Sequence, residues 1–279
     1  MIPRPRFLIR TALLAVPAIL SLGLVSAATL ASDLCDESEE WSRTYFDGDR
    51  GKTAADLRSI HEAAPSGTWQ IDCGENGSVK LLAWDKEEVL ICAQVTAWTK
   101  SGKGHPEEIV RAVRIETDGD RLHAAGPSQS NSARWGVSYK IYAPRRVDLD
   151  IEAANGGIAV EGIYGRMNLR SVNGPIAVRD VGGDVRGRTA NGPVTAHLSG
   201  SRWKGAGLDL ETSNGPVQLS VPKGFSAELE TGTQNGPMQV GFPVSMQEGS
   251  NGRISTVLGS GGPPVRVVTT NGPAVLARR

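Results

Sequence analysis

The dipeptide Asn-Gly recurs seven times in the second half of the chain, and this repeat constrains the fold more than any other feature. The copies begin at Asn155, Asn173, Asn191, Asn214, Asn235, Asn251 and Asn271. Five of them continue as Asn-Gly-Pro, and successive copies are separated by 16 to 23 residues. A turn signal with a nearly fixed period indicates a repeat architecture, in which each unit buries its apolar face against its neighbours.

A short apolar alternation follows six of these turns. The pairs are Ile158 and Val160, Ile176 and Val178, Val194 and Ala196, Val217 and Leu219, Met238 and Val240, and Ala274 and Leu276. A second short apolar stretch follows about ten residues later, as at Met167 and Leu169. No helical pattern of crossover length separates the strands. The sequence therefore predicts an all-β fold, a single-stranded parallel β-solenoid (β-helix) with coils of about 18–23 residues and three short strands per coil.

The chemistry of the turn predicts a column of stacked asparagines. Asn and Gly tolerate positive φ, and Pro suits a position that needs no N–H donor. Asn side chains at equivalent turns would lie about 4.8 Å apart and could join their amides by hydrogen bonds. We predict that this structural turn ladder contains Asn155, Asn173, Asn191, Asn214, Asn235 and Asn271.

A hydroxyl residue lies two positions before the asparagine in five units, at Ser171, Thr189, Thr212, Thr233 and Thr269. This second column has two interpretations: a flat surface that binds ice or sugar, or internal stacking that fixes the register. The internal interpretation is favoured, because Asn-Gly at a turn already has a local structural reason to occur.

The amino terminus has the pattern of a secretory signal. Arg4, Arg6 and Arg10 precede an apolar run from Thr11 to about Leu30, which ends among small residues. We predict a cleaved signal peptide over 1–31 and export to the periplasm, the outer surface or the medium. An uncleaved membrane anchor is the alternative, because the run is nearly long enough to span a bilayer.

Three further segments follow the signal. Residues 32–68 form an irregular N-terminal segment, with a short helix expected between Lys52 and Ala63. Residues 69–146 form a β-rich leading part of the solenoid with a short helical insertion that opens at Pro106. Asp118-Gly119 predicts a two-residue hairpin in that part. Residues 147–279 form the Asn-Gly-Pro repeat.

The three cysteines, Cys35, Cys73 and Cys92, permit one disulfide in an exported chain. All three pairings remain open. Cys73 and Cys92 follow opposite phases of their strands, which favours Cys35 as one of the partners.

Several segments resemble one known family. They are Asn76-Gly77-Ser78-Val79-Lys80, Ala83-Trp84-Asp85-Lys86-Glu87-Glu88-Val89, Tyr142-Ala143-Pro144-Arg145-Arg146, Gly183-Asp184-Val185-Arg186-Gly187 and the Asn-Gly repeats themselves. Together they are similar to the bacterial β-strand-repeat proteins called putative adhesins, a domain of unknown function. The resemblance covers roughly 69–279 and implies a shape more firmly than an activity.

The sequence offers little catalytic chemistry. Asp148, Asp150, Asp180 and Asp184 are the candidate carboxylates of a polysaccharide-active enzyme, but they form single pairs and are not aligned across coils. The histidines His61, His105, His123 and His197 lack metal-ligand spacing, and the bases Arg179, Arg186, Arg188, Arg202 and Lys204 are interspersed with acids. We therefore predict no catalytic residue, no metal and no cofactor.

Charge balance gives no reason to expect a nucleic-acid partner. The chain has 30 basic and 30 acidic residues, and three of the bases lie in the predicted signal, so 27 remain after its removal. The sequence favours an exported, non-enzymatic scaffold or adhesive surface of the cell envelope, with a glycan or another cell-surface component as partner. A polysaccharide lyase or hydrolase and a self-assembling envelope filament are the alternatives.

Overall fold

The computed structural model describes residues 34–35, 51–100, 104–243, 247–248 and 252–279. The predicted signal peptide and Asn251 lie outside the described residues.

Two large sheets face each other, one of ten strands and one of eleven. In chain order the described strands are β1 (Gly51–Ala63), β2 (Thr68–Asp72), β3 (Val79–Trp84), β4 (Glu88–Lys100), β5 (Arg114–Asp118), β6 (Arg121–Ala125), β7 (Ala133–Pro144), β8 (Asp148–Ala153), β9 (Ile158–Glu161), β10 (Tyr164–Asn173), β11 (Ile176–Arg179), β12 (Gly182–Asn191), β13 (Val194–His197), β14 (Gly207–Asn214), β15 (Val217–Val221), β16 (Ala227–Asn235), β17 (Met238–Val240), β18 (Gln247–Glu248), β19 (Arg253–Leu258), β20 (Pro264–Asn271) and β21 (Ala274–Arg278).

The prediction of a single-stranded parallel β-solenoid is wrong. The ten-stranded sheet has the order β1-β4-β7-β3-β9-β11-β13-β15-β21-β17, and the eleven-stranded sheet has the order β18-β19-β16-β20-β14-β12-β10-β8-β2-β6-β5. Both sheets mix parallel and antiparallel pairs, for example β4 with β7 and β16 with β19 in the antiparallel sense. The fold is sandwich-like, and each repeat unit contributes two strands, one to each sheet, where three per coil were expected.

The repeat units are also not stacked in sequence order. The strand β20 lies between β14 and β16, and β21 lies between β15 and β17. In chain order the layer of β16 and β17 therefore precedes the layer of β20 and β21. In space, β20 and β21 lie between that layer and the layer of β14 and β15. Spacing along the chain carries no information about this return, because strands pair according to the completed sheet and not according to their order of appearance.

The core lies between the sheets and follows the alternation of the strands. Ile158, Ile176 and Val194 point inwards from the ten-stranded sheet, and Leu149 and Leu169 meet them from the eleven-stranded sheet; all five are fully buried. Residues at alternate positions point to opposite faces of a strand, so their neighbours in sequence face outwards.

The helix expected between Lys52 and Ala63 is a strand. β1 pairs along its whole length with β4 in the antiparallel sense. Ala54 and Ile60 pack against the core between the sheets, whereas Leu57 belongs to a separate cluster on the outer face. The helical spacing of the three apolar residues was therefore coincidental, and tertiary pairing decided the local structure.

A disulfide closes the outer face of this region. Cys35 bonds to Cys92 of β4 with a Cα–Cα distance of 5.4 Å, and Cys73 is a buried free thiol. Leu57 and Leu90 pack in the same cluster as the two bonded cysteines. The sequence left the pairing open, and the partner that its phase argument favoured is the one observed.

Two local predictions are confirmed. Helix α1 (Pro106–Ala112) begins at the proline, with acids in its first turn. Strands β5 and β6 form the expected hairpin around Gly119, whose φ is 58°. Among the described residues, no helix combines the length and the apolar character needed to cross a bilayer.

Candidate functional site

The structure brings the six predicted ladder asparagines together, and Asn76 joins them. In space the asparagine column runs in the order Asn76, Asn155, Asn173, Asn191, Asn214, Asn271, Asn235. From Asn155 onwards each Nδ2 donates to the Oδ1 of the preceding asparagine in the column, at 3.5 Å between Asn155 and Asn76 and at 2.9–3.0 Å elsewhere. The column crosses the turns that lead from the eleven-stranded sheet to the ten-stranded sheet.

The hydroxyl column lies inside the molecule, beside the asparagine column. Ser171, Thr189, Thr212 and Thr269 are buried, and each donates its hydroxyl to the carbonyl of a glycine in the neighbouring layer at 2.8–3.0 Å. These hydroxyls satisfy backbone oxygens at the turn, as the internal interpretation of the column expects.

Close stacking, and not a left-handed backbone, explains the glycine that follows each asparagine of the column. A Cβ added to Gly174 or Gly192 would clash with the carbonyl oxygen of the glycine in the next layer. Among the glycines that follow the column's asparagines, only Gly272 has a positive φ, of 146°. The positive-φ argument drawn from the sequence is therefore wrong for most of the turns, because the required property is the absence of a side chain.

Beside the column runs a groove with a cavity volume of about 710 Å³. We call it the corner groove. It is lined by Asp72, Gly74, Glu75, Glu152, Ala153, Ala154, Arg170, Ser171, Val172, Arg188, Thr189, Ala190, Glu211 and Ser213. It crosses β8, β10, β12 and β14, which are parallel neighbours.

Small residues make the groove. In four successive layers the residue directly before the asparagine is Ala154, Val172, Ala190 or Ser213. Val172 is 52% exposed, which is unusual for an apolar side chain in this molecule. In the last two layers the same position holds Thr270 and Gln234, and neither lines the groove.

Ion pairs hold the rim of the groove. The Nε of Arg170 donates to Oε1 of Glu152 at 2.8 Å, and its Nη2 donates to Oδ1 of Asp150 at 2.9 Å. Arg188 bonds to the carboxylate of Asp209 and to the carbonyl oxygen of the same residue. The hydrogen bond to Glu152 raises the pKa of Arg170 above its ordinary value, because it stabilises the charged guanidinium.

The same face continues beyond the groove as a lattice of charges. Arg266 bonds to Asp209 at 2.7 Å and to Glu211 at 2.9 Å, and it lies 3.5 Å from Glu230. Burial raises the pKa of Asp209, but hydrogen bonds from Arg188 and Arg266 outweigh it and hold that pKa below its ordinary value. The basic residues of this face are thus largely neutralised by neighbouring carboxylates, as the interspersed acids in the sequence suggested.

The four carboxylates considered for catalysis do not gather. Asp148 accepts the backbone N–H of Arg166, and Asp150 pairs with Arg170. Asp184 lies near Arg186, and Asp180 interacts with Arg279 at 3.4 Å at a separate corner of the molecule. Each carboxylate has its own partner, and within the described ranges no three His, Cys, Asp or Glu side chains are placed to hold a metal ion.

A second, smaller hollow lies on the outer face of the ten-stranded sheet, with a volume of about 230 Å³. Lys80, Glu161, Arg179 and His197 line it. Burial and the charges of Arg179 and Arg279 lower the pKa of His197, so this imidazole is neutral at physiological pH. The hollow has about a third of the volume of the corner groove, so the corner groove is the stronger candidate site.

The asparagine column was predicted from the sequence, but the corner groove was not. The groove depends on the residue between the hydroxyl and the asparagine, which the repeat leaves variable. Its small size in four consecutive layers was a readable signal. This signal predicts a groove only when it is known that the residue before the asparagine faces outwards at the turn between the two sheets.

The described part of the chain thus defines a class: a two-sheet, all-β protein with a surface groove, in which no three described His, Cys, Asp or Glu side chains are placed to hold a metal ion. No family model and no curated protein sequence matches the chain.

Solved structures with a similar arrangement include several that are named as adhesins. A putative cell adhesion protein from Clostridium sporogenes aligns over 82% of this chain and 100% of its own, with 10% identity and a TM-score of 0.38. A putative adhesin from Bacteroides fragilis aligns over 83% and 100%, with 11% identity and a TM-score of 0.39. A putative lipid binding protein from Parabacteroides distasonis aligns over 83% and 99%, with 13% identity and a TM-score of 0.33. Likeness at this level leaves the activity of this chain to be argued from its own residues.

Proposed function

We propose that the protein is an exported, non-enzymatic binding protein of the cell envelope, and that its corner groove holds a neutral, hydroxyl-rich polymer such as a glycan chain. The observation that carries the proposal is the groove itself: a row of small residues bordered by fixed arginine–carboxylate pairs. It crosses four parallel strands whose equivalent atoms repeat about every 4.8 Å. A repeating site suits a repeating ligand.

The rim has the donors and acceptors that hydroxyl groups need. Arg170 and Arg188 present N–H donors, and Glu152 and Glu211 present carboxylate acceptors on neighbouring strands. A sugar hydroxyl is both donor and acceptor, so adjacent hydroxyls can bind such a pair together. Because the ion pairs already hold these side chains in place, little side-chain entropy is lost when a ligand binds.

The charge of the groove favours a neutral polymer over an anionic one. Four acids line it, Asp72, Glu75, Glu152 and Glu211, against the two bases Arg170 and Arg188. An excess of negative charge repels polyanions and lowers their rate of association. This balance also supports the expectation that nucleic acid is not a partner.

The apolar part of the ligand would rest on Val172, whose side chain is 52% exposed within the groove. Sugar rings carry C–H surfaces that gain from covering such a residue. The export assumed in the proposal follows from the basic and apolar start of the chain.

Binding of neutral polysaccharides to the purified protein, measured by calorimetry or by retention in affinity electrophoresis, tests the proposal. Val172→Lys would fill the groove without removing any member of the ion pairs, and we expect its affinity for the polymer to fall at least about tenfold. Val257→Lys is the matched control, because Val257 is 62% exposed on β19, away from the groove.

Three outcomes would overturn the proposal. They are no binding of any neutral polymer up to millimolar sugar concentration, equal binding by the two lysine variants, and cleavage of the polymer during the assay. The last outcome would restore the polysaccharide-active enzyme.

A further inference from the structure

We propose that two copies of this chain associate through β1, which pairs with β1 of the second copy in the antiparallel sense about Leu57. The ten-stranded sheet would then continue from one copy into the other. This inference rests on the edge of the sheet and is independent of the corner groove.

β1 is a long edge strand that is open to a partner. It spans 13 residues, none of which is buried, and it pairs with β4 on one side only among the described strands. An edge of this length presents a row of N–H and C=O groups that can pair with another strand. Proteins usually guard such an edge with charged residues, and β1 carries Lys52, Asp56, Arg58 and Glu62.

The order of these charges makes them complementary to a second copy of the same strand. In antiparallel pairing centred on Leu57, Lys52 lies opposite Glu62 and Asp56 lies opposite Arg58, and each contact occurs twice. Ala54 lies opposite Ile60 on the same face. Opposite charges in direct cross-strand positions are stabilising, and like charges there are destabilising.

Neighbouring registers lose this match. A shift that centres the pairing on Asp56 places this carboxylate opposite its own copy, and a shift to Arg58 does the same to the guanidinium. These are the nearest alternatives that keep the inward face of β1 on the same side in both copies, because the side-chain period of a strand is two. The register about Leu57 is also the one that pairs all 13 residues of the strand.

The inward charges are already held in position for this pairing. Arg58 donates to the carbonyl oxygens of Val110 and Val113 at 2.7 and 2.6 Å, and its Nε donates to Asp56 at 2.9 Å. The Oε1 of Glu62 accepts a hydrogen bond from Thr117 at 3.0 Å. Arg58 thus also stabilises the contact with α1, so the interface is tested at Lys52 and Glu62; Glu62→Lys also removes the hydrogen bond from Thr117, and its fold is checked separately.

Charge reversal on separate copies gives a sharp experiment. Lys52→Glu places two acids opposite each other at both ends of the interface, and Glu62→Lys places two bases there. In an equimolar mixture of the two variants, each altered residue meets a residue of opposite charge. The protein processed by its host is measured by sedimentation equilibrium from about 1 µM to about 500 µM, the range in which a small interface would associate.

We expect a concentration-dependent dimer for the unaltered protein, a rise of at least about tenfold in the dissociation constant for each variant alone, and recovery in the mixture. Circular dichroism checks that each variant is folded. A monomer at every concentration overturns the proposal, and so does a dimer that neither variant weakens. Variants that weaken the dimer without recovery in the mixture overturn the register.

Discussion

Two regions of the same sandwich are stabilised in different ways. In the parallel layers of the repeat the amide bond between asparagines and the close glycine stacking recur from layer to layer, and four of these layers add a hydroxyl bond to a glycine carbonyl. In the antiparallel region of β1, β4 and β7 each stabilising contact occurs once. The repeat distributes stability over many equivalent contacts, whereas the antiparallel region concentrates it in a few.

The largest effect is expected from the disulfide, a contact without a second copy. The bond joins residues 57 positions apart, and removal of a cross-link over a loop of that length costs about 4 kcal/mol in the chain-entropy account. We expect reductant to lower the urea midpoint of the unaltered protein strongly. The double variant Cys35→Ala/Cys92→Ala should unfold at the same midpoint with and without reductant. A reductant-independent midpoint for the unaltered protein would contradict the expectation.

The second-largest loss of stability is expected from substitution of a glycine in the repeat. Gly192→Ala forces a Cβ against the carbonyl oxygen of Gly174, and overpacking against backbone of this kind costs about 2–3 kcal/mol. Gly241→Ala is the matched control, because its Cβ would lie 3.4 Å from the carbonyl oxygen of Leu276, an ordinary contact. Chemical unfolding of both variants measures the difference, and equal losses would show that stacking is not the reason for glycine at the turn.

Substitutions in the asparagine column should lower the free energy of unfolding by less, and the loss should depend on the position in the column. Asn191→Ala removes one bond to Asn173 and one from Asn214, and we expect a loss of about 2 kcal/mol. Asn235 makes a single described bond along the column, to Asn271, so Asn235→Ala should cost about 1 kcal/mol. Equal losses for Asn235→Ala and Asn191→Ala in the same unfolding assay would contradict this dependence on position.

The charged face should contribute least. Arg266 is 23% exposed and contacts three carboxylates, so Arg266→Met should cost about 1 kcal/mol. Arg186 is 67% exposed and has a single partner at 3.4 Å, and Arg186→Met should change stability by less than about 0.5 kcal/mol. Thermal unfolding at low and at high salt separates the two, because salt screens the exposed Arg186 pair more fully than the partly buried contacts of Arg266.

The same face predicts an acid dependence. The pKa of Asp209 is lower in the folded chain than its ordinary value of 3.8, so the unfolded chain binds a proton first as the pH falls. The stability that this carboxylate contributes is therefore present above that value and is lost as the pH drops below it. Asp209→Asn should flatten the loss of stability below pH 4, measured as the urea midpoint against pH. An unchanged slope would mean that another group is responsible.

Local structure was largely readable from the sequence, because it depends on neighbouring residues. The alternation after each turn places Ile176 and Val178 in the core, Pro106 opens α1, and Asp118-Gly119 closes a hairpin. Each of these features is set within a few positions, by side-chain period, by a fixed φ or by a tight turn.

The arrangement of the sheets was not readable, because it depends on contacts between distant segments. Nothing in the spacing of Asn214, Asn235 and Asn271 reveals that the last of them lies between the other two. The strand character of β1 likewise comes from its pairing with β4 and not from its own residues. The corner groove exists only after these layers are assembled, so the short residues before the asparagines could not be recognised as part of a groove from the sequence alone.

The placement of β20 between β14 and β16 has a consequence for biosynthesis. The ribosome produces residues 227–235 before residues 264–271, yet the first segment takes its parallel neighbour from the second. The last layers of both sheets cannot close until residues 264–278 have left the ribosome. A nascent chain halted before residue 264 would expose the edge of β14 to aggregation.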